Sequence, residues 1–191
     1  MPDQEGGLSG KSKQDPRAAR TRASLVGAFD RLFLSQRRRP AAAAEIAAEA
    51  DVGRSTFYDH FGNADALYLE ALKRPLGALA EAAAGRGDPA ALEPLLVHFW
   101  EQRRHARESL SGRLRPRIGG VFADLVEARL EGAALALPPR LAARTLSEAA
   151  LGPLAAWLSG EAPSSPAQLA EALCRNGAAL RAALESAPRP L

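Results

Sequence analysis

Apolar residues recur with a helical period along most of the chain. Leu25, Ala28, Phe29, Leu32 and Phe33 fall at i, i+3, i+4, i+7 and i+8, which places one stripe on a helix of about Arg17 to Gln36. Residues 1–16 before it are polar, Gly-containing and aperiodic, the pattern of a flexible tail. The run Arg37-Arg38-Arg39-Pro40 ends that helix. A short helix over Ala43 to Ala50 follows, with Ile46, Ala47 and Ala50 inward, and Asp51-Val52-Gly53 interrupts it as a turn. Arg54 to Phe61 reads as a third helix closed by Gly62 and Asn63, and Ala64 to Lys73 as a fourth.

Beyond it, Pro75 marks a break or kink, and Gly85-Arg86-Gly87 a loop. Asp88-Pro89 puts an N-cap residue before a Pro at the first position of a helix reaching about Arg107. Ser109 to Gly120 reads as short helices and turns. Val121 to Leu137, Pro139 to Leu158 and Ala167 to Leu184 read as helices, the last started by Ser164-Ser165-Pro166.

Composition agrees with this pattern. Among 191 residues there are 42 Ala but only five Val, two Ile and three Thr, and because sheets favour the β-branched class and helices favour Ala, Leu and Arg, the fold is expected to be all-α. The length suits one domain, or two small ones sharing a core. A single cysteine, Cys174, closes no internal disulfide, which points to the cytoplasm. The first 17 residues hold no apolar leader core, and the longest apolar run, Ala149 to Leu158, is short and broken by Gly152 and Pro153, so neither secretion nor membrane spanning is expected.

The distribution of charge says more than its total. The net charge is +3, yet residues 10–40 carry +7 and the rest of the chain −4. A basic front on a mildly acidic body is an electrostatic footprint for a polyanion, although a solvated Arg-rich face would give the same count.

Two short helices joined by a tight turn, Ala43–Ala50 and Arg54–Phe61, have the dimensions of a helix-turn-helix, whose second helix enters the major groove of DNA. Arg54, Ser55 and Thr56 lie in the first turn of that second helix, where side chains reach base edges. Tyr58 and His60 add donors suited to phosphate, and Phe57 and Phe61, four apart, pack inward. Arg37, Arg38 and Arg39 are further candidates for phosphate, which needs charge more than strict geometry.

The residues Leu25-Val26-Gly27-Ala28-Phe29 with Leu32-Phe33, Glu45-Ile46-Ala47-Ala48-Glu49-Ala50-Asp51-Val52, and Ser55-Thr56-Phe57-Tyr58-Asp59-His60-Phe61 with Asn63 and Leu67 resemble the N-terminal domain of the TetR/AcrR family of transcriptional regulators. Four positions depart from the family pattern. Ala42 stands where a capping Thr is usual, Asp51 where a turn Gly is usual, Gly53 where a capping Ser is usual, and Ala64 where relatives place a phosphate-binding Lys. The resemblance implies a helix-turn-helix domain over residues 17–73 and a helical effector-binding and dimerisation domain over 74–191. It also implies a homodimer acting on a palindromic double-stranded DNA operator, with repression as the commoner outcome and a small-molecule effector of unknown identity.

In that scheme the last two long helices make the dimer, through Leu154, Trp157 and Leu158 on one and Leu169, Leu173 and Leu180 on the other. The same spacings suit an internal core equally. His98, Phe99, Trp100, Arg103 and Phe122 are candidates for contacting the effector, with core aromatics and a solvated arginine as the plainer reading. His98 and His105 share a helix face without a third ligand, so no metal is expected, and no cofactor motif occurs. No Gly-rich phosphate loop, nucleophile elbow or zinc motif suggests catalysis. The rival to a regulator is a helical interaction or ligand-binding protein whose helix-turn-helix has degenerated.

Overall fold

The computed structural model describes residues 15–34 and 42–185. Arg37, Arg38 and Arg39 lie outside the described residues, as do residues 1–14 of the expected tail. Every regular element among the described residues is a helix: α1 (Pro16–Leu34), α2 (Ala43–Glu49), α3 (Arg54–Phe61), α4 (Ala64–Leu72), α5 (Leu76–Ala83), α6 (Pro89–Glu101), α7 (Arg103–Ser111), α8 (Arg115–Arg129), α9 (Pro139–Ser159) and α10 (Pro166–Glu185). The chain divides into two compact units, the first ending at Tyr68 and the second starting at Leu69, so the division falls inside α4 rather than at residue 73.

The first unit is built around α1. Its Leu25, Ala28 and Leu32 are buried with Ile46, Ala47 and Ala50 of the α2 region, Phe57 and Phe61 of α3, and Leu67 of α4. Asp15 and Pro16 belong to this helix and not to a tail, because the Asp15 carboxylate accepts from the Arg17 N–H at 2.9 Å and Pro16 occupies the first helical position. The same Asp-Pro start opens α6, where Asp88 accepts from Ala90 N–H at 3.0 Å.

The second unit packs α10 against α5, α6 and α9, and α9 against α7 and α8. Its helices approach closely through small residues. A Cβ at Gly177 of α10 would collide with the Ala82 carbonyl oxygen, so only glycine permits this contact with α5. Ser165 and Gln168 form a reciprocal capping box at the start of α10, with bonds of 3.1 and 2.9 Å. Among the described residues no helix is long and apolar enough to cross a membrane.

Three element boundaries differ from the sequence pattern. The single helix expected from Pro89 to Arg107 breaks at Gln102 into α6 and α7, because α6 packs on α10 while α7 packs on α9, and one straight helix does not serve both. The turns expected around Gly119 and Gly120 are instead the interior of α8. Gly119 is buried, and a Cβ there would come within 2.8 Å of the Arg115 guanidinium and 3.4 Å of the Glu148 carboxylate. Its missing side chain leaves room for the Arg115–Glu148 ion pair that joins α8 to α9. The helix expected to reach Leu137 stops at Arg129, and Gly132 beyond it takes a positive φ of 77°. Also absent from the sequence pattern was α5, which occupies the span between the Pro75 break and the Gly85 loop.

Candidate nucleic-acid interface

The two turns of α3 have an inward and an outward side. Phe57 is fully buried and Phe61 is 6% exposed, which anchors one side in the core. Arg54, Ser55, Tyr58 and Asp59, at i, i+1, i+4 and i+5, lie on the opposite side and are exposed, with Tyr58 at 44%. Thr56 and His60 are half-buried at the flank of this face. The structure therefore brings Arg54, Ser55 and Tyr58 together on one surface, with Thr56 and His60 beside it. The Arg54 guanidinium lies 5.9 Å from the centre of the Tyr58 ring. Asp59 shares the surface and was no candidate from sequence, although its i+5 spacing from Arg54 would have put it there.

The unusual residues around α3 are absorbed locally. Ala42 offers no side-chain acceptor to α2, but the Glu45 carboxylate accepts from the Ala42 N–H at 2.9 Å and supplies the other half of a capping box. Asp51 takes a φ of +54°, the left-handed conformation for which the turn would otherwise favour glycine. Gly53 caps α3 in an extended conformation (φ −65°, ψ 149°) that any residue adopts. At the start of α4, the Asn63 side chain accepts from Ala66 N–H at 2.9 Å. Ala64, half-buried, is the first residue of that helix.

Part of the basic front is tied to α2 and α3. An Nη of Arg22 donates to the His60 carbonyl at 3.1 Å, and its guanidinium sits 4.3 Å from the centre of the Phe61 ring. Arg31 donates from Nε to the Glu49 carboxylate at 2.7 Å and from Nη2 to the Glu49 carbonyl at 3.3 Å. Ser24 Oγ donates to the Ala50 carbonyl at 3.3 Å. Three donors of α1 thus satisfy carbonyls at the C-terminal ends of both helix-turn-helix helices, groups that lack intrahelical partners. Arg17 and Arg20 are exposed in the first turns of α1.

Residues 39–71 match the model of the TetR family of bacterial regulatory proteins, which spans the turn and all of α2 and α3. This stretch of the first unit is thus similar to the TetR family of bacterial regulatory proteins. The repressor AlkX of Dietzia sp. strain DQ12-45-1b, implicated in n-alkane biodegradation, is similar in fold, at 18% identity over 95% of this chain and 100% of AlkX, with a TM-score of 0.57. The FadR repressor of Thermus thermophilus, solved with lauroyl-CoA, matches at 20% identity over 89% of this chain and 99% of its own, with a TM-score of 0.51. A TetR-family regulator from Streptomyces coelicolor A3 matches at 18% identity over 90% of this chain and 99% of its own, with a TM-score of 0.50. No curated protein sequence matches the chain. These likenesses extend the TetR fold over the helical second unit as well.

In the second unit most of the residues expected at a dimer surface are packed inside the chain itself. Leu154, Trp157, Leu158, Leu169 and Leu173 are buried within the chain's own core at 1–7% exposure, and Leu180 is half-buried. They lie where the Ala- and Leu-rich sides of α9 and α10 meet each other and α5 to α8. The effector candidates lie on α6, α7 and α8. Phe122 is fully buried in the core. Trp100 stacks on Trp157 at 4.8 Å and carries the Arg103 guanidinium 5.2 Å from its ring centre. His98 and Phe99 are half-buried neighbours with ring centres 6.5 Å apart. Among the described residues no group of three metal-ligating side chains comes together. Burial, and to a smaller extent Asp88, pushes the Cys174 thiol above its ordinary pKa, which suits a packed side chain rather than a reactive one.

Proposed function

We propose that this protein is a homodimeric transcriptional repressor that sets α3 in the major groove of a palindromic operator and releases it on binding a small molecule. The observation that carries the reading is the exposed polar face of α3, with Arg54, Ser55 and Tyr58 on one side and Phe57 and Phe61 fixed in the core on the other. Arg54 and Ser55 reach base edges from the first turn. Tyr58 and His60 hold phosphates, and Thr56 approaches the bases from the flank. Arg37, Arg38 and Arg39 add non-specific attraction to the backbone. Against a degenerate helix-turn-helix stands the geometry at Ala42, Asp51 and Gly53, where the turn and both helices keep regular form.

Two-fold pairing goes through the outward sides of α9 and α10, since their inner sides are occupied. Gly152 of α9 is exposed with open space where a Cβ would sit, and Ala179 of α10 is exposed as well. An exposed glycine beside Pro153 in mid-helix costs helix stability, about 1 kcal/mol for the glycine alone, and a close helix partner in a second subunit would offset that cost. Effector binding to the second unit selects a dimer geometry in which the two recognition helices no longer match successive major grooves, about 34–36 Å apart. That AlkX and FadR are repressors, and that FadR was solved with lauroyl-CoA, supports both the outcome and a small-molecule effector. The test is retardation of a labelled duplex from upstream of the protein's own gene. Sequence-specific retardation supports the reading, and none up to micromolar protein overturns it.

A further inference from the structure

We propose that Arg22 is a positioning residue for the recognition helix: it holds the C-terminal end of α3 to α1 and so sets the angle at which Arg54 and Ser55 meet the bases. The inference rests on the DNA-binding reading of α3. α3 has only eight residues, and with Phe57 and Phe61 in the core the fixing of its two ends completes its orientation. The turn Asp51–Gly53 fixes the N-terminal end. At the other end the His60 carbonyl is one of the four without an intrahelical partner. Arg22, 38 residues earlier in the chain, donates to it at 3.1 Å. The guanidinium also lies 4.3 Å from the centre of the Phe61 ring. A positive charge at this place interacts favourably with the negative end of the helix dipole and with the face of the ring. The hydrogen bond, the stack and the dipole all fail together if α3 slides or rotates on α1. Arg22 is half-buried in this arrangement.

The experiment uses full-length protein and an operator duplex selected by the wild type from a random pool, with a scrambled duplex of equal length as control. Arg22→Met keeps the aliphatic stem, and Arg22→Lys keeps the charge while losing the planar stack. The expected result is an operator affinity about tenfold lower for Arg22→Met, the scale of one charge-assisted hydrogen bond. Scrambled-duplex affinity should change less than about twofold, and the slope of log K against log[salt] should stay as in the wild type. Arg22→Lys should fall between the two. A slope reduced by about 0.9 per subunit, with the operator-to-scrambled ratio preserved, would make Arg22 a phosphate contact and overturn the proposal. So would variants that bind with wild-type affinity and ratio. If Arg22→Met does not fold, the ratio measured for Arg22→Lys decides by the same criteria. A wild type that selects no sequence removes the DNA-binding reading itself, an outcome distinct from a selective wild type with equally selective variants.

Discussion

The two units differ in what their arginines hold and in what their helices leave exposed. In the first, arginines of α1 tie down the ends of α2 and α3 while the polar side chains of α3 stay exposed. In the second, leucines and a tryptophan at helical spacing are consumed by the unit's own core, and arginines such as Arg115, Arg129 and Arg140 pair with carboxylates across helices. A small unit with little core can present a surface because a few cross-helix hydrogen bonds fix its elements. A larger unit hides most of its chemistry inside. An exposed side chain on a rigid short helix therefore indicates function, whereas an apolar residue at the right spacing indicates only burial.

The largest effect should separate the inner from the outer side of the last two helices. Leu173→Arg places a charge at a site 2% exposed, at a cost of several kcal/mol, and should unfold the second unit, read as loss of cooperative melting. Gly152→Arg places the same charge where space is open, so the protein should stay folded and sediment as a monomer. A folded Leu173→Arg monomer would return that leucine to a subunit interface.

Within the first unit the expected differences are smaller. Arg54→Ala should lower discrimination at one base pair per half-site by about 1–3 kcal/mol, while Tyr58→Ala should weaken all sequences alike. A panel of operators with single substitutions would distinguish them, and equal loss of discrimination from both would break the division of roles on α3.

How much of this was legible follows from where each signal lies. The limits of α3 could be read because Gly53 and Gly62 punctuate it locally, and the latter indeed takes a positive φ of 64°. The break at Gln102 carries no glycine or proline and arises from two different packing partners, so it left no local mark. Gly119 misled in the opposite direction, since its purpose is room for an ion pair and not a turn. Arg22 and Arg31 counted as surface charge in the sequence because their partners are 38 and 18 residues away, a separation that spacing rules do not reach. The buried side of α9 was equally hidden, because Leu154 and Trp157 have the same period whether they face a neighbour in one chain or in two.

Two further substitutions sharpen the account of the first unit. Ala42 has the extended backbone of an N-cap (φ −75°, ψ 153°), so Ala42→Thr should complete the capping box with Glu45 and raise stability by about 1 kcal/mol in denaturant unfolding. Ala64→Lys should change stability by only a few tenths of a kcal/mol. It should steepen log K against log[salt] by about 0.9 per subunit that gains a phosphate contact. An unchanged slope would mean that the start of α4 does not face the DNA backbone.

The DNA-binding reading requires the exposed face of α3 to lie against the bases. A photo-crosslinking side chain at Ser55, exposed on α3, tests it directly when compared with the same group at Thr145, exposed on α9. With bound operator, the account predicts crosslinks from position 55 to bases at two symmetry-related places and none from position 145. Bound DNA that crosslinks to position 145, or not at all to position 55, would contradict it.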